Sequence, residues 1–197
     1  MALIDEAADP FALFETWFQE AEASEINDPN AMTVASVDRE GLPDARILLL
    51  KGWSRDGFVF YTNLTSEKGV QLLEQRKAAL LFHWKSQRRQ VRLRGPVEQV
   101  SDEVADTYFA TRPRQSQLGA WASDQSSPLA DRETFEAQLA KFEAQFDGKN
   151  VPRPPHWSGL CLMPSFMEFW QDREFRLHDR VRFSQSPAGW SGQRLYP

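Results

Sequence analysis

Behind Asp9 and Pro10, the apolar residues Phe11, Phe14, Phe18 and Ala21 recur at helical spacing, with Glu15, Glu20 and Glu22 on other faces. That pattern predicts a helix opened by an acidic cap and a proline, and closed at Asp28, Pro29 and Asn30. Beyond it the period shortens to two. Ala31 to Val37, Ala45 to Lys51 and Phe58 to Tyr61 read as strands, separated by turns at Asp38 to Gly41 and Arg55 to Gly57. Ser66 to Gln75 reads as a short helix capped by Thr65 or Ser66. Ala78 to Trp84 and Gln90 to Val100 follow as two long strands joined by a polar turn. Ser101 caps a helix running to Ala110, and residues 112–127 fit neither period. Asp131 to Phe146 is predicted as an amphipathic helix, because Phe135, Leu139, Phe142 and Phe146 share a face. Val151 to Pro155 holds three prolines and makes a rigid connector. Ser158 to Met163, Phe166 to Gln171, Phe175 to Phe183 and Trp190 to Leu195 complete the chain as strands. Runs of strands with helices between them predict a mainly β fold with attached helices, an antiparallel barrel forming one domain over 1–197.

Composition narrows the class. The 197 residues are 41% hydrophobic and 12% aromatic, which supplies a packed core and excludes a disordered chain. The longest strongly apolar stretch is Ile47 to Leu50, far short of a membrane span, and the N-terminus lacks the pattern of a secretory signal. Cys161 is the one cysteine, so no intrachain disulfide forms, and it sits in an apolar strand that reads as core. His83, His156 and His178 are too scattered for a zinc pattern, so no metal is expected. The expectation is a soluble cytoplasmic protein with no membrane partner.

Charge is unevenly spread around the net −5. Nine of the 28 acidic residues precede Arg39, the first basic residue, leaving 19 acidic against 23 basic in the rest. Basic residues gather at Lys85, Arg88, Arg89, Arg92 and Arg94, at Arg112 and Arg114, and at Arg173, Arg176, Arg180 and Arg182. Such clusters either surround small anions or form solvated faces. An acidic overall balance and the lack of a recognised binding motif argue against nucleic acid.

Several stretches carry candidate chemistry. Alternation puts Gln90, Arg92 and Arg94 on one strand face and Val91 and Leu93 on the other. Likewise Ile47, Leu49 and Lys51 oppose Arg46, Leu48 and Leu50, and a functional role for the strand-end Lys51 requires a nearby anion. Tyr61 to Gly69 runs from a strand into a helix start, where backbone N–H groups and Lys68 suit a phosphate. Arg112 to Ser116 offers two guanidiniums and a hydroxyl in five residues. In an extended strand Arg176, His178 and Arg180 share a face, poor material for a core, and this favours a site. No dinucleotide-binding glycine motif, P-loop or nucleophile elbow is present.

These segments, in this order, resemble the pyridoxine (pyridoxamine) 5′-phosphate oxidase family. The stretches that carry the likeness are Arg46 to Lys51, Phe60 to Asn63, Arg89 to Val91, Tyr108 through Arg114, Ser116 to Trp121, Gln125 to Ser127, Glu168 to Gln171 and Arg176 to Arg180. The resemblance implies an FMN-binding split β-barrel, antiparallel and Greek-key-like, working as a homodimer with a C-terminal dimerisation and active-site segment at about 156–197. It implies that Arg46, Thr62, Lys68, Gln125 and Ser126 surround the FMN phosphate and ribityl chain. Ile47, Leu48, Leu49, Leu50 and Lys51, with Tyr61, Gln90, Trp170 and Arg180, would be further flavin contacts. Lys51, Tyr108, Arg112 and Ser116 would grip the phosphate of a B6 vitamer, and the catalytic pair Arg176 and His178 would hold its ring. Oxygen would be the electron acceptor. Two departures stand out: Glu67 replaces the arginine of the family's usual Ser-Arg-Lys, and the short acidic N-terminus lacks an Arg-and-Tyr segment common upstream. A flavin oxidase of another small substrate, such as a phenazine precursor, and a non-catalytic flavin or pyridoxal phosphate binder are the alternatives.

Overall fold

In the computed structural model, which describes residues 3–197, ten strands form one strongly curled antiparallel sheet with five α-helices set around it. Helix α1 spans Pro10–Ser24. Asp9 caps it by accepting from the Phe11 and Ala12 N–H groups, and Pro10 occupies the first turn without wasting a donor. Its buried face is Phe11, Phe14, Trp17 and Ala21; Trp17 takes the place expected for Phe18, which is only partly covered.

The strands are β1 (Ala31–Val37), β2 (Pro43–Leu49), β3 (Gly52–Ser54), β4 (Gly57–Asn63), β5 (Lys77–Trp84) and β6 (Arg89–Gln99), followed by β7 (Trp157–Leu162), β8 (Phe166–Gln171), β9 (Asp179–Ser186) and β10 (Gly189–Arg194). The main path runs β10-β9-β8-β6-β5-β1-β2. β6 splits it: Arg89 to Arg94 pair with β8, whereas Val97 to Gln99 pair with β7, which continues to β4 and β3. At the split the chain between β7 and β8 crosses β6 so closely that a Cβ on Gly95 would lie 1.9 Å from the Met163 carbonyl oxygen. Inside the curl, Phe14 meets Phe58, Phe82 and Trp84, with Leu80, Val91, Leu93 and Phe169 fully buried around them.

Helix α2 (Glu67–Gln75) is capped by Ser66, one of the two caps expected, and ends at Arg76 in the left-handed region. Helices α3 (Asp102–Thr111), α4 (Arg114–Ala122) and α5 (Arg132–Gln145) fill the long interval between β6 and β7. They pack a second, smaller core of Phe109, Leu118, Phe146, Val151 and Trp157. The predicted apolar face of α5 is only weakly covered. None of its residues is buried, although Leu139 and Phe142 lean on this core. Among the described residues, no helix is long and apolar enough to cross a membrane.

One predicted strand is corrected. Phe175 to Phe183 is not extended throughout: Glu174–Arg176 form a 3-10 turn, with Phe175 and Arg176 at φ 55° and 64°, and β9 begins only at Asp179. Arg176, His178 and Arg180 therefore do not share a strand face.

Candidate active site

The connection from α3 to α4 builds the first part of the site. Tyr108 lies in the last turns of α3, Arg112 caps its end in extended conformation, and Pro113 turns the chain so that Ser116 falls in the first turn of α4. With Lys51 after β2 and Tyr61 on β4, these side chains line a cleft of about 490 Å³ floored by Trp157. Tyr61 and Tyr108 stack at 3.9 Å, Tyr61 stacks on Trp157 at 5.1 Å, and the Arg112 guanidinium lies 4.7 Å from the Trp157 ring. Burial pulls the Arg112 pKa down, with the nearby Tyr108 opposing it, and the buried Nη1 has no hydrogen-bond partner. The cleft thus holds an unsatisfied cationic donor, which a bound anion would satisfy.

Arg114 is not part of it. Its Nη1 and Nη2 donate to the carbonyls of Lys149 (2.8 Å) and Phe146 (2.6 Å), tying the end of α5 to α4. Of the two guanidiniums predicted here, one faces the cleft and one is structural.

A second cleft of about 420 Å³ shares Leu48, Tyr61, Arg112, Ser116 and Trp157 with the first and extends to Thr62 and Gln125. Beside Gln125 lies the start of α2. Lys68 Nζ donates to Gln125 Oε1 at 2.6 Å and to Ser66 Oγ at 3.2 Å. Burial lowers the Lys68 pKa, and Arg46 lowers it further, against the pull of Asp44 and Glu67. Arg46 is held from several sides. Its Nη1 donates to Ser36 Oγ (2.6 Å) and the Val34 carbonyl (3.1 Å), and its Nη2 meets Asp44 and Gln71. Ser126 is exposed at φ 74°, Ile47 and Leu49 line the first cleft, and Leu50 points into the core.

The remaining predicted residues stand elsewhere. Gln90 on β6, Trp170 on β8 and Arg180 on β9 are register partners and form a row across the sheet. His178 packs 4.6 Å from Trp170, its Nδ1 lies 2.9 Å from Asp172 Oδ1, and Arg176 is exposed on the turn before it. None of these five residues lines either cleft. Four sheet steps separate β2 from β8, roughly 19 Å along the sheet at ~4.8 Å per step.

Comparison with known proteins decides the family. The profile of pyridoxamine 5′-phosphate oxidase matches residues 18–146, and that of the pyridoxine 5′-phosphate oxidase C-terminal dimerisation region matches residues 157–197. The chain belongs to the pyridoxamine 5′-phosphate oxidase family. It is 59% identical over 194 residues to the pyridoxine/pyridoxamine 5′-phosphate oxidase of a Bradyrhizobium strain, covering 98% of this chain and 90% of the relative. The enzyme of the same name from Caulobacter vibrioides is 57% identical over 189 residues, covering 96% and 85%. Among solved structures, PhzG from Burkholderia lata, crystallised with tetrahydrophenazine-1-carboxylic acid, superposes with a TM-score of 0.91 at 30% identity, covering 98% of this chain and 95% of that one. A Nostoc punctiforme protein described as pyridoxamine 5′-phosphate oxidase-related and FMN-binding shares the fold, with a TM-score of 0.77 at 17% identity and coverage of 97% and 100%.

Within this oxidase-family chain, several supporting residues escaped the sequence reading. Asp44, Ser36 and Gln71 fix Arg46, Glu168 holds Arg180, and Asp172 touches His178. Asp44 left a trace, sitting two residues before Arg46 and so on the same strand face, and Glu168 opens one of the stretches that carry the family likeness. Cys161 is half-buried on β7, and burial pushes its thiol pKa up, which leaves it a poor nucleophile.

Proposed function

We propose that this chain catalyses the FMN-dependent oxidation of pyridoxine 5′-phosphate and pyridoxamine 5′-phosphate to pyridoxal 5′-phosphate, with oxygen reduced to hydrogen peroxide and, for the amine, water taken up and ammonia released. The observation that carries this reading is the convergence of Lys51, Tyr108, Arg112 and Ser116 on one cleft, with an Arg112 nitrogen that no protein group satisfies. A phosphate offers acceptors to a guanidinium, an ammonium and two hydroxyls at once.

The donor set at α2 fits the phosphate of FMN. Lys68 and Arg46 are two cations close enough to disfavour each other, and an anion between a helix start and both cations relieves that repulsion. In this reading Arg46, Thr62, Lys68, Gln125 and Ser126 hold the phosphate and ribityl chain. The strand from Ile47 through Leu48, Leu49 and Leu50 to Lys51, together with Tyr61, flanks the ring. Bound there, FMN would supply a two-electron acceptor for the carbon that bears the alcohol or amine, with oxygen as the final oxidant.

The protein's own work is binding and alignment. Lys51 and Arg112 neutralise the vitamer phosphate, Tyr108 and Ser116 donate to it, and Arg176 and His178 orient the pyridine ring. The working unit is a homodimer, in which a second copy brings Gln90, Trp170, Arg176, His178 and Arg180 to the cleft. Two findings support this: residues 157–197 match a dimerisation region, and within one chain those five residues lie away from the cleft.

The test is anaerobic mixing of FMN-loaded protein with pyridoxine 5′-phosphate while following the flavin's visible band. Bleaching, with recovery in air and formation of pyridoxal 5′-phosphate, is expected. A band that persists with both the alcohol and the amine phosphate overturns the reading, and bleaching by a phenazine precursor alone would reassign the substrate.

A further inference from the structure

On the outer face of the sheet one carboxylate stands among four arginines. Alternation brings Arg92 and Arg94 of β6, Glu168 of β8, and Arg180 and Arg182 of β9 to the same side. Glu168 is the one acidic side chain at these positions, and it is 4% exposed. Such a carboxylate is costly to bury unless each oxygen is satisfied. Both are. Oε1 accepts from Arg180 Nη2 at 2.7 Å and Nε at 3.1 Å, and Oε2 accepts from Arg92 Nη2 at 2.6 Å.

Arg180 is held a second time, because its Nη1 donates to the Tyr196 carbonyl at 3.1 Å. A guanidinium carries about five N–H donors in a rigid plane. Three are spent on these contacts, and the plane cannot turn without breaking them. Trp170 is the register partner of both Arg180 and Gln90, so the three residues form one row on the same face of the sheet.

We propose that Glu168 is a positioning residue: it locks the Arg180 guanidinium so that its unspent donors stand in line with Trp170 and Gln90, ready for the cofactor. This rests on the reading of Arg180 as a flavin contact. Arg92 is the counter-cation that makes burial of Glu168 tolerable. A merely structural Glu168 would serve the sheet and leave cofactor affinity alone.

The experiment is a double-mutant cycle on the full-length protein, read as FMN affinity by quenching of flavin fluorescence. The variants are Glu168→Gln, Arg180→Ala and the pair, with the melting temperature of each recorded. Glu168→Gln is expected to weaken FMN about tenfold, the scale of one charge-assisted contact. In the Arg180→Ala background the same change is expected to do nothing further to FMN affinity. Unchanged affinity in Glu168→Gln beside a weakened Arg180→Ala overturns the proposal and leaves the Arg180 reading intact, as do fully additive losses. Unchanged affinity in Arg180→Ala removes the flavin-contact reading itself. Should Glu168→Gln not fold, Glu168→Asp, which keeps the charge but draws it back from Arg180, runs the same cycle with the same expected coupling.

Discussion

The Arg112 guanidinium lies 4.7 Å from the Trp157 ring, with one terminal nitrogen buried and unpartnered. The ring orients the cation without using its N–H donors, so the donors stay available to an anion. Arg112→Lys keeps the charge but loses the flat, forked geometry. We expect KM for the phosphorylated substrate to rise about tenfold with kcat within about twofold, the signature of lost uniform binding. Steady-state kinetics on both vitamer phosphates check it, and a fall in kcat at unchanged KM would contradict the assignment.

Glu67 opens α2 beside Lys68, and its negative charge opposes the burial and Arg46 effects that lower the Lys68 pKa. It also repels any phosphate at that helix start. Glu67→Arg should tighten FMN about three- to tenfold at low salt, with the gain fading at high ionic strength. Titrations at two salt concentrations decide. Affinity that rises in Glu67→Ala but not in Glu67→Arg contradicts a charge-based account.

Burial alone would raise the Glu168 pKa, but hydrogen bonds from Arg180 and Arg92 hold it below the ordinary glutamate value. A carboxylate whose folded pKa is depressed stabilises the fold above its unfolded pKa, and that contribution is lost as pH falls through the folded value. The wild type should therefore lose stability in that acid window, whereas Glu168→Gln should be less stable at neutral pH and show a flatter acid limb. Denaturation midpoints from about pH 6 to about pH 3 check this. Parallel curves for the two proteins would contradict it.

Two groups compete for His178 Nδ1. Asp172 Oδ1 lies at 2.9 Å and calls for a proton on that nitrogen, whereas the Arg173 N–H at 3.3 Å would need it bare. The shorter contact, to a carboxylate, favours a proton on Nδ1 and leaves Nε2 facing away from Asp172. Asp172→Asn supplies an N–H donor in place of the carboxylate and should shift the ring toward the Nε2–H tautomer. Long-range proton–nitrogen NMR of labelled histidine reads this directly, and an unchanged tautomer would sink the prediction.

Much of the fold was legible because its signals are local. The Asp9 and Pro10 opening of α1, the Ser66 and Ser101 caps and the alternation of Gln90 to Arg94 each lie within a few residues. Helix α4 was not legible, since its cap position is Pro113, which has no side-chain acceptor to announce a start. The turn at Phe175 and Arg176 was missed for a related reason. Both residues take left-handed backbone without being glycine, and nothing local marks such a choice.

Which charges serve the site was decided by the tertiary structure alone. Arg112 and Arg114 are two residues apart, yet one faces a cleft and the other caps a helix. Glu168 opens a stretch that carries the family likeness, but only the fold shows it buried between two strands' arginines. The sequence by itself determined the periods, the caps and the family resemblance, because these depend on neighbours along the chain. The tertiary structure decided which cations face a cleft and which meet a carboxylate or carbonyl. Partners of that kind lie tens of residues away in sequence, and only folding brings them within hydrogen-bond reach.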